Sequence, residues 1–157
     1  MTPVFADEHL LVSGAVGEGF FAHVWTAPSA AGGRCELVVL DRDRLAERPR
    51  VLPNGGMKCS VGGLLAVSPP SSHVLTFMFS PSHRLVRGGR VPSFISGDVG
   101  GSAPMASVVV RWHGGAQTLS LRGRSFVGGS TAMTMQNGYV VVAYDALGNV
   151  IARQPFD

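Results

Sequence analysis

The fold is indicated most clearly by Ala106-Ser-Val-Val-Val-Arg-Trp-His-Gly-Gly-Ala-Gln-Thr-Leu-Ser-Leu-Arg122. We interpret Gly114-Gly115 as a two-residue hairpin turn, because glycine supplies the positive φ that type I′ and II′ turns need. One face then alternates as apolar and the other as mixed, which predicts an antiparallel hairpin with a buried Trp112. The predicted pairs are Trp112 with Gln117, Val110 with Leu119, Val108 with Leu121, Arg111 with Thr118, and Val109 with Ser120.

A second hairpin is indicated near the end of the chain, where strand patterns at 139–144 and 150–154 flank Asp145-Ala-Leu-Gly148. Asp at the first position and Gly at the last are typical of a type I turn that ends in a left-handed residue. The register pairs Tyr144 with Val150 and Val142 with Ala152. Because the first strand is apolar at successive positions, we expect it to be central in its sheet.

Short strand patterns separated by Gly, Pro, Asn or Ser occupy most of the remaining chain. One segment, Asp41–Arg48, could form a turn or two of helix, with Asp41 or Asp43 as the cap and Pro49 as the stop. The sequence therefore predicts a single all-β domain over 1–157, with two antiparallel sheets packed as a β-sandwich, Gly/Pro-rich loops and at most one short helix; a small β-barrel is the alternative. The other predicted strands are 20–27 and 34–41, which form a hairpin, and 64–68, 73–80, 84–87, 93–96, 125–127 and 131–135.

Composition and charge exclude several classes of function. Only 15% of the 157 residues are charged, and the formal charge of +3 rests on arginines that are spread along the chain. Nucleic-acid binding usually needs a basic stripe with interleaved aromatic residues, and none is present. No run of eighteen apolar residues could cross a membrane as a helix. Residues 1–9 lack the regions of a signal peptide, so we expect either a cytosolic protein or a segment of an exported one.

Two glycine-rich motifs resemble catalytic loops but lack the atoms that catalysis needs. Gly17-Glu-Gly-Phe-Phe-Ala-His-Val24 matches a protein-kinase glycine-rich loop, yet the following strand, 35–40, contains no lysine. Gly97-Asp-Val-Gly-Gly101 is similar to the nucleophile motif of trypsin-like proteases, but Val99 stands at the nucleophile position and has no oxygen. We interpret the first motif as a turn entering a strand, and we expect no acyl transfer at the second.

The titratable residues form no local catalytic or metal-binding pattern. The five histidines, at 9, 23, 73, 83 and 113, show no metal-ligand spacing, and no two of the ten acids form an obvious pair. We expect His23 to be a hydrogen-bonded interior residue and His113 to be solvated. The sequence thus predicts no catalytic residue, no metal and no cofactor, although carboxylates or histidines from distant strands could still meet in the fold.

Two cysteines, Cys35 and Cys59, give the clearest indication of compartment. A bond between them would close the irregular stretch 36–58 and contribute roughly 3–4 kcal/mol by the chain-entropy model. We therefore favour a disulfide and an oxidising compartment. The alternative is a cytosolic protein in which both thiols are free and buried.

A further set of short segments is spread along the chain: Trp25, Gly33–Leu37, Gly55-Gly56 before Cys59, Gly97, Ser107–Arg111 and Val140–Gly148. Together they resemble, over roughly 20–154, a loose group of β-sandwich domains. The group consists of extracytoplasmic domains of actinobacterial exported or single-pass membrane proteins, including outer domains of anti-sigma-factor-like proteins. The resemblance implies a paired Cys35 and Cys59, a non-enzymatic role and a tether to the cell envelope, although this chain contains neither a membrane helix nor a zinc-binding anti-sigma segment.

These observations predict a non-enzymatic, extracytoplasmic or secreted binding or sensing module. Its partner would be a protein or an anionic envelope polymer, held by Arg111 and Arg122 on the outer face of the hairpin at 106–122, together with Thr118 and Ser120. A membrane would be involved only through a missing tether, and nucleic acid is not expected. The alternatives are a small cytosolic β-barrel enzyme or ligand-binding protein, and a structural subunit of an assembly.

Overall fold

A computed structural model describes residues 3, 7–49, 54–59, 75–80, 83–84, 89–133 and 138–156 of the chain, with the backbone alone for 75–79 and 83–84. All elements within these ranges are β-strands. They are β1 (His9–Gly17), β2 (Phe20–Pro28), β3 (Arg34–Asp41), β4 (Met57–Cys59), β5 (Leu75–Ser80), β6 (His83–Arg84), β7 (Arg90–Val91), β8 (Ser93–Val99), β9 (Ser107–Trp112), β10 (Gly115–Thr118), β11 (Ser120–Arg122), β12 (Ser125–Ser130), β13 (Tyr139–Tyr144) and β14 (Val150–Phe156).

The strands form three four-stranded antiparallel sheets and one small ribbon. The N-terminal sheet has the order β1-β2-β3-β4, the middle sheet β11-β12-β8-β5 and the C-terminal sheet β10-β9-β13-β14, while β6 pairs with β7. The predicted all-β antiparallel sandwich is confirmed, and no sheet closes into a barrel within the described ranges. The number of sheets differs from the two that the sequence predicted, because the chain makes a further layer.

The middle sheet lies between the other two and contributes side chains to both cores. Phe94 and Val127 pack with the even-numbered side chains of the N-terminal sheet, such as Val12 and Val38. The neighbouring residues Ile95 and Phe126 pack with the C-terminal sheet. Since adjacent side chains of a strand point to opposite faces, this division means that both faces of the middle sheet are covered.

The N-terminal sheet is built from two hairpins and one short added strand. The predicted pairing of 20–27 with 34–41 is confirmed, with Trp25 opposite Leu37. Strand β1 was not predicted, because Ser13 and Gly14 interrupt its apolar pattern. A Cβ at Gly14 would clash with Oγ of Ser120, so glycine is required where β1 approaches β11.

The disulfide between Cys35 and Cys59 is present, and it joins two directly paired residues of β3 and β4. The sequence prediction of this pairing is confirmed. Cys35 is fully buried in a small cluster with Trp25 and Leu37. Strand β4 has only three residues, so the covalent bond adds to a short hydrogen-bonded ladder and holds β4 beside β3.

The hairpin at 106–122 is present, but its register differs from the predicted one. Trp112 pairs with Gly115 and Val110 with Gln117, so the turn residues are His113 and Gly114. The error is two residues, which leaves every side chain on its predicted face because side chains alternate with period two. Trp112 is half-buried rather than buried, and a Cβ at Gly115 would lie 2.6 Å from its ring.

The second half of that hairpin leaves the sheet at Leu119. The amide of Leu119 still donates to Val108, but Ser120 to Arg122 pair with β12 in the middle sheet. The predicted pairs of Ser120 with Val109 and Leu121 with Val108 are therefore wrong. Leu119 is buried between the two sheets, so the same apolar face continues while the hydrogen-bonding partner changes.

The C-terminal hairpin matches its turn prediction and half of its register. Gly148 has a φ of 83° and its amide donates to the carbonyl of Asp145, as the type I turn requires. Tyr144 pairs with Val150 as predicted, whereas Ala152 lies opposite Ala143 and not Val142, because a bulge intervenes. Strand β13 is an interior strand of its sheet, as expected.

The helix considered at 41–48 is not formed. The carboxylate of Asp41 accepts from the amide of Asp43, and that of Asp43 accepts from the amide of Leu45. These i to i+2 bonds make consecutive Asx turns, which compete with a helical turn for the same donors. The strand expected at 131–135 is likewise absent at 131–133, where the chain turns; 134–135, the whole of 64–68, and 73–74 and 85–87 lie outside the described residues.

Candidate functional site

An exposed face of the C-terminal sheet carries the first candidate site. Val108 and Val110 of β9 are buried in the core, so Val109 and Arg111 point to the opposite, outer face. Arg153 of β14 shares this face because it pairs with the outward residue Val142. Both arginines are exposed, and the four strands of this sheet contain no acidic residue. We call this surface, with Arg111, Tyr144 and Arg153, the arginine face.

Arg111 is held in place by a neighbouring strand. Its Nη2 donates to the hydroxyl of Tyr144 at 3.1 Å, and the backbone of Arg111 pairs with Val140. A guanidinium that is oriented by one bond keeps its other N–H groups available for a carboxylate or phosphate. The arrangement is suited to bind anions at the centre of the sheet.

The second predicted partner-binding residue, Arg122, lies elsewhere. It is exposed on β11, pairs with Ser125 and belongs to the middle sheet. Ser120 accompanies it, so the predicted grouping of Arg111, Thr118, Ser120 and Arg122 on one face is wrong for its last two members. The cause is the change of sheet at Leu119. Thr118 does lie on the outer face, opposite Val109.

Two carboxyl groups meet between the N-terminal and middle sheets. Glu36 of β3 and Asp98 of β8 are 62 residues apart in sequence (98 − 36), yet their side chains are within hydrogen-bonding reach. Ser125 donates from Oγ to Oδ1 of Asp98, its directly paired residue. We call Glu36 and Asp98 the carboxyl pair. No local sequence motif indicates that these two residues pair, because their contact is formed by the packing of two sheets.

The carboxyl pair holds a proton in the neutral range. Burial, followed by the hydrogen bond and the negative charge of Asp98, raises the pKa of Glu36 from 4.5 to about 8, and the positive charge of Lys58 opposes this rise. Both carboxyl groups are half-buried. Two carboxylates in contact cannot both ionise without strong repulsion, so one proton is shared between them.

Facing rows of polar side chains surround the carboxyl pair. In the N-terminal sheet, cross-strand pairing aligns His9, Thr26, Glu36 and Lys58. In the middle sheet it aligns Arg122, Ser125 and Asp98. Arg34 donates from Nε to Oγ1 of Thr26 at 3.0 Å. Thus the exposed basic groups His9 and Lys58 lie at the two ends of the first row, and the exposed Arg122 lies at one end of the second.

The geometry of the carboxyl pair limits its chemistry. Glycosidases separate their two carboxyl groups by about 5 Å or more, which leaves space for the sugar or for a water molecule. Glu36 and Asp98 are in direct contact, so no substrate fits between them. The arrangement can bind and release a proton.

The remaining sequence motifs take structural roles. His23 is 1% exposed; its Nδ1 lies 2.7 Å from Oγ of Ser13 and its Nε2 2.9 Å from the carbonyl of Asp43. This confirms the expected hydrogen-bonded interior histidine, and His113 is exposed at the hairpin tip as expected. Residues Gly17 to Gly19 form the tight turn between β1 and β2, with positive φ throughout.

Neither a metal-binding cluster nor a membrane-spanning helix occurs in the described parts of the chain. No group of three or more His, Cys, Asp or Glu residues there could hold a metal ion. Within the same residues, no helix is long and apolar enough to cross a membrane.

Comparisons of the chain with models of protein families, with curated proteins and with solved structures find no match.

Proposed function

We propose that this chain is a non-enzymatic binding or sensing module that acts outside the cytoplasm. It binds a partner that presents carboxylate or phosphate groups, and it does so on the arginine face. The observation that carries the proposal is the pair of exposed guanidinium groups, Arg111 and Arg153, on a sheet whose strands contain no acid. The bond from Arg111 to Tyr144 adds preorganisation, which lowers the entropic cost of binding.

The disulfide supports the proposed location. Structural disulfides persist in oxidising compartments and are rare in the cytosol. Cys35 and Cys59 are bonded, and the bond fastens an edge strand that has only three residues. A domain that is stabilised in this way is suited to the cell exterior. The resemblance to envelope domains agrees with this location.

Binding of a defined polyanion tests the proposal. We expect fluorescently labelled poly-L-glutamate to bind the wild-type chain and to dissociate as salt rises, because exposed charge pairs are screened. The double variant Arg111→Glu/Arg153→Glu should bind at least tenfold more weakly. The control is Arg48→Glu/Arg122→Glu, which changes the charge equally at exposed arginines outside the C-terminal sheet.

The two double variants separate a specific face from general charge. If both lose binding equally, the arginine face has no special role and the proposal is wrong. Binding by Arg111→Glu/Arg153→Glu at the wild-type level would also contradict it. Circular dichroism of each variant verifies that the all-β fold is retained, which is expected because these side chains are exposed.

A further inference from the structure

The N-terminal and middle sheets pack through apolar side chains around Phe94 and Val127. Glu36 and Asp98 add a polar contact to this interface. Two residues along β8 from Phe94 lies Ser96, which is 1% exposed and whose Oγ has no hydrogen-bond partner among the described residues. Asp98 follows on the same face. The polar end of this interface therefore depends on the contact between the two carboxyl groups.

We propose that the carboxyl pair is a pH-sensitive clasp that holds β3 and β4 against β8 while it shares a proton and loosens them when that proton is lost. With one proton, the carboxyl group donates to the carboxylate and the sheets are joined by a strong hydrogen bond. Without it, two negative charges face each other in a partly dry site. This device is independent of the arginine face, which lies on another sheet.

The charged groups around the carboxyl pair determine whether loss of its proton leaves attraction or repulsion. Lys58 of β4 lies opposite Glu36, Arg34 belongs to the same strand, and His9 and Arg122 end the two rows. Thr26 of β2 and Ser125 of β12 are the uncharged neighbours. Lys58 is the charge that opposes the shift, and it does not cancel the effects of burial and of Asp98. Loss of the proton thus leaves net repulsion.

The sign of the stability effect follows from linkage. The pKa of Glu36 is raised in the folded protein from 4.5 to about 8, so the folded chain binds an additional proton between these values. Stability is full below pH 4.5, falls as pH rises through this window and levels off above about 8. An exposed carboxylate would give no such fall.

Thermal unfolding of matched variants tests the clasp. We expect the wild-type melting temperature to fall by on the order of 5 °C between pH 5 and 8.5. Glu36→Gln is permanently neutral, so it should match the wild type at pH 5 and melt higher at pH 8.5. Glu47→Gln, at an exposed glutamate, is the control and should keep the wild-type slope. A wild-type curve that is flat, or a slope that persists in Glu36→Gln, overturns the proposal.

Hydrogen exchange tests the structural part of the proposal. At pH 8.5, the amides of β3 and β4 should exchange several-fold faster in the wild type than in Glu36→Gln, while those of β13 should not differ. Comparison at one pH removes the intrinsic effect of hydroxide on exchange. If the amides of β3 and β4 exchange equally fast in the wild type and in Glu36→Gln, loss of the proton does not loosen these strands and the clasp is rejected. Asp98→Asn provides a second variant, which should make the pH slope shallower without abolishing it, because burial still raises the pKa of Glu36.

Discussion

The two faces of the middle sheet both bury apolar side chains, but one face is apolar to its end and the other ends in a carboxyl group. The face towards the C-terminal sheet is apolar from Ile95 to Val99, and Phe126 is fully buried on it. The face towards the N-terminal sheet begins with Phe94 and Val127 and ends with Asp98, which contacts Glu36. One interface thus depends on non-directional burial, whereas the other adds a directional contact that depends on protonation.

Because of this difference, one interface of the middle sheet should be insensitive to pH and the other should respond to it. Apolar burial has no protonation state, so the interface with the C-terminal sheet should keep its strength across pH and carry the arginine face on a constant support. The interface with the N-terminal sheet is the part that can change. The disulfide limits that change by keeping β4 bonded to β3.

The largest effect is expected from Phe126→Ala, which removes a ring that is 0% exposed in the apolar interface. The loss should be about 3–5 kcal/mol in the free energy of unfolding, from lost burial and the cavity that remains. Urea unfolding at pH 5 and at pH 8.5 measures it. The loss should be equal at both values, and Phe126→Leu should lose less. If the loss in the free energy of unfolding differs strongly between the two pH values, the interface with the C-terminal sheet is also pH-sensitive and the distinction between the two interfaces is wrong.

An intermediate effect is expected from removal of the disulfide. Cys35→Ala/Cys59→Ala should lose about 3–4 kcal/mol, since the bond closes a loop between residues 24 apart in sequence. Its melting temperature should also fall more steeply with pH, because β4 then holds Lys58 less firmly opposite Glu36.

Two measurements accompany the disulfide variant. Intact mass of the wild type should be two hydrogens below the reduced chain, and reduction of the wild type should lower its melting temperature as the double variant does. A stability loss below about 1 kcal/mol would show that β4 is held by its ladder alone.

The alternation of apolar residues made most of the strands predictable, but it could not assign strands to sheets. Val108 and Val110 face the core on the predicted side of their hairpin. Yet Leu121 continues the same pattern on the middle sheet, since both sheets cover the same core. Alternation of apolar and polar residues along a strand indicates which face of that strand is buried, but it does not indicate which strand pairs with it.

The candidate sites were predictable only where they depend on one strand. Arg111 was identified because its own hairpin fixes its face, whereas Arg122 was misplaced by the change of sheet at Leu119. Glu36 and Asp98 each lie on a face otherwise occupied by core residues such as Val38 and Phe94. Such an acid in an apolar row is the signal that sequence reasoning could have used, but its partner requires the packing of two sheets.

The smallest effect is expected at Asp145, which has the opposite pH dependence from the carboxyl pair. Hydrogen bonds, first from the backbone amide of Asn149 and then from its side chain and the amides of Leu147 and Gly148, lower the pKa of this exposed carboxylate from 3.8. Its contribution is therefore present above pH 3.8 and is lost as pH falls through the lowered value.

Asp145→Ala should lower the melting temperature slightly at pH 6, and this difference should shrink as pH falls below 3.8. The matched control is Asp43→Ala, because Asp43 is also exposed and accepts a bond from the amide of Leu45 alone in its turn. We expect the control to have a smaller effect. If the melting-temperature difference between Asp145→Ala and the wild type grows towards acid pH, the ionised carboxylate of Asp145 does not stabilise the turn and the prediction is wrong. Opposite pH trends for Asp145→Ala and for Glu36→Gln would show that a carboxyl group stabilises the surface turn when it is ionised and the sheet interface when it is protonated. The reason is that only the interface removes water from the charge.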